Sequence, residues 1–371
     1  MIWSNNIFAL IVLSFFMNIG CKEKPTETHE DINSNRRDFS WSVDTLYYTP
    51  DSLSSGDTKI YDMSGVNDTT IFAVGQDEWG GRGSLWKFDG TNWRRVKLFA
   101  EEGGTFTQAL SLSSILVFSE RNIYSFGDHY YSNSSPPPNF IHSAMAIHFD
   151  GIQWKETTVP RGEIMYNNIS YSPNDFYVGG TNGQLFHYSN GIWIVDTISL
   201  SQFPQLPLYN INVLSYTLKG IYLNTIQFNP NSGILYYQIL LHNKDSTILI
   251  DSTNSQSQKW GLNYLWSSPQ GTIFSAGNDG IFKFTGKEWI KIFSAEIFSS
   301  ISGTADNDIF AFGVTGNVYH FDGTDWRIIK SIDLPYPVRG LIAWSDQHNV
   351  FISVYHNSKS LIFHGRNKKE K

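Results

Sequence analysis

Short runs of alternating apolar and polar residues, broken every few positions by Gly, Asn or Asp, occupy nearly the whole chain. Leu85-Trp86-Lys87-Phe88, Ile281-Phe282-Lys283-Phe284 and Val318-Tyr319-His320-Phe321 alternate with a period of two, the period of a strand whose successive side chains point to opposite faces. Other runs are almost wholly apolar and end in Gly: Ile71-Phe72-Ala73-Val74-Gly75, Ile123-Tyr124-Ser125-Phe126-Gly127, Ile273-Phe274-Ser275-Ala276-Gly277 and Ile309-Phe310-Ala311-Phe312-Gly313. Strands buried on both faces read this way. The alternating runs lead into a shared element, Phe321-Asp322-Gly323-Thr324-Asp325-Trp326. It recurs as Phe88-Asp89-Gly90-Thr91-Asn92-Trp93 and, more loosely, as Phe149-Asp150-Gly151-Ile152-Gln153-Trp154. Gly suits the turn because it tolerates positive φ, and Asp bonds its own backbone there. The Trp that opens the next strand is expected to cover the gap between adjacent units.

Self-similarity at a fixed period marks a repeat fold. Trp154 and Trp193 lie 39 residues apart, and Trp289 and Trp326 lie 37 apart, close to the roughly 40–45 residues of a four-stranded propeller blade. Trp93 and Trp154 are further apart, and the excess falls in an insertion at 128–143. The longer stretch from Trp193 to Trp289 holds two units, of which one, at 209–255, lacks the Trp. A seventh unit begins at Arg339 and ends at Leu361-Ile362-Phe363-His364-Gly365 before any fourth strand. The segment Trp41-Ser42-Val43-Asp44-Thr45-Leu46 lines up with Trp193-Ile194-Val195-Asp196-Thr197-Ile198 and supplies that strand. The expected fold is therefore all-β: a seven-bladed β-propeller of four-stranded antiparallel blades over 39–366, closed by its N-terminal strand. Such closure removes the open edge of the array. A count of six or eight blades stays open at this stage, because the fourth unit is faint.

Composition agrees with this architecture. Aromatic residues make up 15% of the chain and charged residues only 16%, the balance of an all-β protein rather than of a helical bundle or a disordered chain. A net charge of -7 supplies no basic face for a phosphate backbone, so no nucleic-acid partner is expected.

Residues 7–19 form an apolar run too short to span a bilayer, followed by Gly20-Cys21, the pattern of a secretory signal at 1–20. Cys21 is the only cysteine, so no disulfide accounts for it. Asn18-Ile19-Gly20-Cys21 resembles a bacterial lipobox, with Asn18 where Leu is usual. That resemblance implies cleavage before Cys21 and a lipid on its thiol. Lys22-Glu23 is similar to the signal that carries some Bacteroidota lipoproteins to the cell surface. Residues 21–38 are polar and read as a flexible lipidated tether, and 367–371 as a charged tail. The expected location is the bacterial cell envelope, as an outer-membrane lipoprotein on its periplasmic or outer side.

Across 39–366 the chain resembles the bacterial β-propeller lipoproteins whose blades carry a repeated Asp-Gly-x-x-Trp hairpin. The resemblance implies the fold and an extracytoplasmic role, with no common activity. The turn is also similar to the Asp-box of sialidase-type propellers, Ser-x-Asp-x-Gly-x-Thr-Trp, but no Ser leads it and Gly follows Asp directly.

Candidate chemistry is sparse. His148, His187 and His320 occupy the same place in the repeat as Lys87 and Lys283. Equivalent positions on different blades do not converge, so these His read as structural, and no metal or cofactor is expected. No nucleophile elbow, phosphate loop or dinucleotide fingerprint occurs. The departures from the repeat lie in connections that share one face, at 76–83, 128–143, 199–209 and 331–338. They carry the candidate binding residues Trp79, Arg82, His129, Tyr130, Tyr131, His142, Phe203, Tyr209 and Tyr336. Aromatics among polar groups suit a polysaccharide or a protein interface. The expected function is a monomeric binding or assembly module for a polysaccharide or an envelope protein. The alternative is a glycan-active hydrolase or lyase using the same face, with two carboxylates facing each other across the central opening.

Overall fold

The computed structural model describes residues 36–49, 56–77, 82–132, 140–162, 164–198, 208–217, 220–243, 246–262, 264–338 and 340–368. The chain divides into two units, Met1–Asn33 and Ser34–Lys371. The first, with the expected signal sequence and Cys21, lies outside the described residues; the second is a propeller.

Strand β1 (Phe39–Leu46) precedes the first full blade. Blade I holds β2 (Thr58–Asn67), β3 (Thr70–Asp77), β4 (Arg82–Phe88) and β5 (Trp93–Arg95). Blade II holds β6 (Leu110–Ser119), β7 (Asn122–Ser132), β8 (Phe140–Phe149) and β9 (Trp154–Thr157). Blade III holds β10 (Met165–Ser172), β11 (Asp175–Gly180), β12 (Gln184–Ser189) and β13 (Ile192–Thr197). The faint fourth unit is blade IV, with β14 (Leu208–Thr217), β15 (Gly220–Asn229), β16 (Ile234–Asn243) and β17 (Ser246–Asn254). Blade V holds β18 (Tyr264–Ser267), β19 (Ile273–Gly277), β20 (Gly280–Phe284) and β21 (Trp289–Phe293). Blade VI holds β22 (Phe298–Ala305), β23 (Asp308–Gly313), β24 (Asn317–Phe321) and β25 (Trp326–Ser331). Blade VII holds β26 (Gly340–Ser345), β27 (Asn349–His356) and β28 (Lys359–Asn367), with β1 as its outermost strand.

Each of the seven sheets has four strands in antiparallel order. The first strand of every blade touches the first strand of the next, round to β26 against β2, so these strands line a central channel. β1 pairs with β28 from Phe39↔Asn367 to Leu46↔Ser360. Closure by the N-terminal strand is thus observed.

The Trp side chains do sit at blade junctions. Trp93 packs on Phe88 of its own blade and on Phe351 of blade VII. Trp326 stacks on Phe293 of blade V, ring centres 4.9 Å apart, and Trp193 meets Phe126 of blade II. Among the described residues, seven apolar clusters, most of them bridging two neighbouring blades, form the core.

Three boundaries differ from the sequence reading. The insertion at 128–143 is not a loop throughout. β7 and β8 extend into it with unbroken pairing to Ser132↔Phe140; 133–139 lie outside the described residues. The tether expected to run to Asp38 ends earlier. Arg37 is buried, its guanidinium bonding the Asp308 carboxylate and, at 2.6 Å, the Asp346 carbonyl. Arg327 donates to the Arg37 carbonyl, so residues 37 and 38 latch blade VI to blade VII. The tail starts later than residue 367: Asn367 belongs to β28, and the Lys368 N–H donates to the Asp38 carbonyl at 2.7 Å.

Candidate functional site

Up-and-down blades place two kinds of connection at opposite ends of the ring. The turns joining first to second and third to fourth strands lie on one face, the turn face. The connections from second to third strand, and from each blade to the next, lie on the other, the loop face.

The repeated Asp-Gly element belongs to the turn face. Asp89 Oδ1 accepts the N–H groups of Thr91 and Asn92, Asp150 those of Ile152 and Gln153, and Asp322 those of Thr324 and Asp325, at 2.9–3.1 Å. Gly90, Gly151 and Gly323 take φ of 93°, 88° and 98°, open to Gly at no steric cost. Burial alone would raise the Asp322 carboxyl, but the bonds from Asp325 and Thr324 outweigh it and hold it at about 2. These carboxylates cap turns.

The repeat His positions are structural too. His148, His187 and His320 stack on the aromatic ring opposite them on the second strand: Tyr124, Tyr177 and Phe310, at 4.1, 3.9 and 4.7 Å. Each Nε2 meets the Asn or Asp opening that strand: Asn122, Asp175 or Asp308, at 2.7–2.8 Å. His364 is a fourth member, stacked on Phe351 and bonded to Asn349, which the sequence reading passed over although its register is the same. Lys87 and Lys283 stand instead over Phe72 and Phe274. Among the described residues no group of three or more His, Cys, Asp or Glu is placed to hold a metal ion.

On the loop face, β3 ends and β4 begins with the paired residues Asp77 and Arg82. Arg95, at the end of the three-residue β5, bonds Asp77 through Nε and Nη2 at 3.1 and 2.9 Å. The connection that follows carries a 3-10 turn, Ala100–Glu102. Its Glu102 accepts from both Arg82 and Arg95 and, at 2.9 Å, from the Tyr48 hydroxyl. Arg95 lies 3.8 Å from the centre of the Tyr48 ring and Arg82 4.4 Å from that of Phe99, favourable cation–π placements. Burial would raise Glu102, but the bonds from Arg95, Tyr48 and Arg82 carry it below its ordinary value.

The neighbouring blade adds the long hairpin β7–β8. His142 Nδ1 meets the buried Asp128 carboxylate at 2.6 Å. His129 Nε2 meets Glu156 at 2.9 Å, and its Nδ1 meets the carbonyl of Ala109 at 3.2 Å. Ala109 belongs to the connection from blade I, so the hairpin and the 96–109 segment form one raised, charged surface.

Of the candidate binding residues, Arg82 bonds Glu102 in this surface and His129 joins it through Ala109, whereas His142 lies on the opposite face of the β7–β8 hairpin, against Asp128. Tyr336 stands elsewhere on the loop face, in the connection from blade VI to blade VII, and is 69% exposed. Tyr130 and Tyr131 lie in β7 and Tyr209 in β14; their side chains, like the whole of Trp79 and Phe203, are outside the described residues. Sequence reasoning missed Arg95, Glu102 and Glu156. The one available signal was the doubled charge after the Trp of two adjacent fourth strands, Arg94-Arg95 and Lys155-Glu156, where blade III carries Ile194-Val195.

The central channel holds one further group. Asp62 of β2 accepts the N–H of Met63 at 2.8 Å and, across the blade junction, that of Ile115 at 2.9 Å. Burial raises its carboxyl to about 7. Tyr264 of blade V is pushed up to about 12, first by burial and then by the charge of Asp62.

Fold and site together define a seven-bladed β-propeller with an elaborated loop face. No family model matches the chain, and no curated protein does. Among solved structures it is similar to one described as YCF48 bound to D1 peptide, at 14% identity and a TM-score of 0.58, covering 88% of this chain and 95% of that one. YCF48 from Cyanidioschyzon merolae matches at 13% identity and a TM-score of 0.53, covering 87% and 98%. At these identities the likeness establishes the fold.

Proposed function

We propose that this protein is a lipid-anchored docking module of the cell envelope that holds a partner protein on its loop face over blades I and II. The observation that carries this reading is the contact between His129 and Ala109. It joins the 96–109 connection to the β7–β8 hairpin in one surface of mixed charge, the kind that steers and orients a protein partner. The solved structure of YCF48 with a D1 peptide supports protein recognition as a use of this fold. The apolar run at 7–19 and Cys21 support the anchor.

The test is site-specific photo-crosslinking in cells, with a benzophenone residue at Glu101, whose side chain is 59% exposed, and at Asn190 on the turn face. A discrete protein adduct in the membrane fraction is expected from position 101 and not from position 190. With Cys21→Ser the protein is expected to leave the membrane fraction. Adducts of equal yield at both positions, or none at 101, would overturn the docking reading. A glycan adduct at 101 would replace the protein partner by a polysaccharide.

A further inference from the structure

The second strongest departure from the repeat is on the outer wall. Between blades I and II, below the loop face, lies a cleft of about 370 Å³, within the roughly 300–1,000 Å³ of ligand pockets. Its floor is apolar: Phe72, Val96, Ile123, Phe149 and Trp154 line it, and residues 103–105 roof it. Beside it, Arg94 of β5 is 76% exposed and pairs with Asp89 at 3.3 Å.

Two features of the rim point to an occupant. Ile152, at the tip of the Asp150-Gly151 turn, is 86% exposed, the most exposed of the large hydrophobics among the described residues. A side chain so placed covers no core and costs solubility, which a partner's apolar surface would offset. Lys87 and Lys97 also line the cleft, and among the described residues neither is paired with a carboxylate. The one acid there, Glu120, is already engaged by the Thr70 hydroxyl at 2.7 Å. In a chain of net charge -7 this is a locally basic rim around an apolar floor.

The corresponding cleft one blade back, between blades VII and I, shows that the fold alone does not dictate this chemistry. It has a similar volume, about 320 Å³, and keeps aromatic Trp41 and Phe88, but the rest of its lining is Ser40, Ser42, Asp44, Gly90, Thr91, His364 and Arg366. Thr91 stands where Ile152 stands in the next blade. The apolar, basic character of the I/II cleft is therefore written locally.

We infer that the I/II cleft is a docking site for an extended peptide segment of a partner protein, seating one bulky apolar side chain on the Phe149–Trp154 floor and pairing a neighbouring carboxylate with Lys87 and Lys97. The cleft lies on the outer wall, below the loop-face surface, and meets it only along the 96–109 segment, whose Lys97 and residues 103–105 line the cleft. The experiment is fluorescence anisotropy on the purified full-length protein with labelled ten-residue peptides, each carrying one Phe or Leu beside an Asp-Glu pair. Saturable binding is expected, weakened about tenfold or more when the peptide's apolar residue becomes Ser or its acids become Lys. The same loss is expected in Ile152→Asp and Lys97→Glu, both surface changes whose melting should match the parent. Absence of binding across the peptide set would overturn the inference, as would binding that both variants leave unchanged. Displacement of the peptide by laurate at equal concentration would overturn the peptide occupant in favour of a lipophilic acid. The crosslinking result at Glu101 is read separately, so either proposal can fail alone.

Discussion

A chain that starts at residue 47 is expected not to fold into a stable propeller. The deletion strips β28 of its only outer neighbour along the register from Phe39↔Asn367 to Leu46↔Ser360. It removes Phe39, Trp41 and Leu46 from the blade VII junctions, at about 1.5–3 kcal/mol for each large apolar side chain. It also removes Arg37 from Asp308, whose side chain is 1% exposed; stripping one partner from a buried ion pair costs about 3–5 kcal/mol. The sum rivals the whole stability of an ordinary domain, roughly 5–15 kcal/mol. Denaturant unfolding and size-exclusion chromatography would show loss of the cooperative transition and aggregation through the bare β28 edge. Arg37→Ala alone should fall between, lowering stability by about 3 kcal/mol with the fold retained. A truncated chain that melts like the parent would mean that β1 adds little to ring closure.

Asp62→Asn is expected to stabilise the protein at neutral pH relative to its stability in mild acid. The folded carboxyl titrates near 7, raised by burial, against 3.8 in the unfolded chain. Below pH 4 both states hold the proton and the group costs nothing. Between pH 4 and 7 the unfolded chain releases the proton while the folded protein keeps it, so stability falls as pH rises. The shift corresponds to at most about 4 kcal/mol, reduced by channel water and by the N–H bond that Asn cannot replace. His364 runs the other way. Burial holds its ring at about 3 against 6.5, so its contribution is complete above pH 6.5 and lost as pH falls towards 3. The wild-type profile therefore mixes opposing slopes, and the difference between parent and Asp62→Asn across pH 4–8 isolates Asp62. A difference that does not change with pH would refute a raised Asp62.

The turn carboxylates act in a third window. Asp89, Asp150 and Asp322 all have carboxyls below their ordinary value, so their stabilisation is lost only as pH falls below about 4. The same separation explains which parts of the site the sequence exposed. The repeated Asp could be read as a turn residue because its spacing to Gly and Trp is local. Asp62 could not, because a bulge between Ile60 and Asp62 breaks the period-two reading of β2, and its key partner, Ile115, lies in the next blade.

The chain by itself determined the blade unit and the closing strand and pointed to seven blades, a count the seven four-stranded sheets then fixed. All three rest on short-range patterns repeated in register: alternation, an Asp-Gly turn and a Trp at a steady spacing. It also located the departures from the repeat, where Arg82 and His129 stand on the blade I side and His142 on the opposite face of the β7–β8 hairpin. Only the tertiary structure decided what they meet. Arg95 and Glu102 joined Arg82, Glu156 joined His129, and Arg37 left the tether to bury itself against Asp308. Each of these is a pairing of charges brought together by ring geometry rather than by adjacency. An ion pair needs proximity in space but leaves no periodic trace along the chain, whereas a strand must write its period into every second residue.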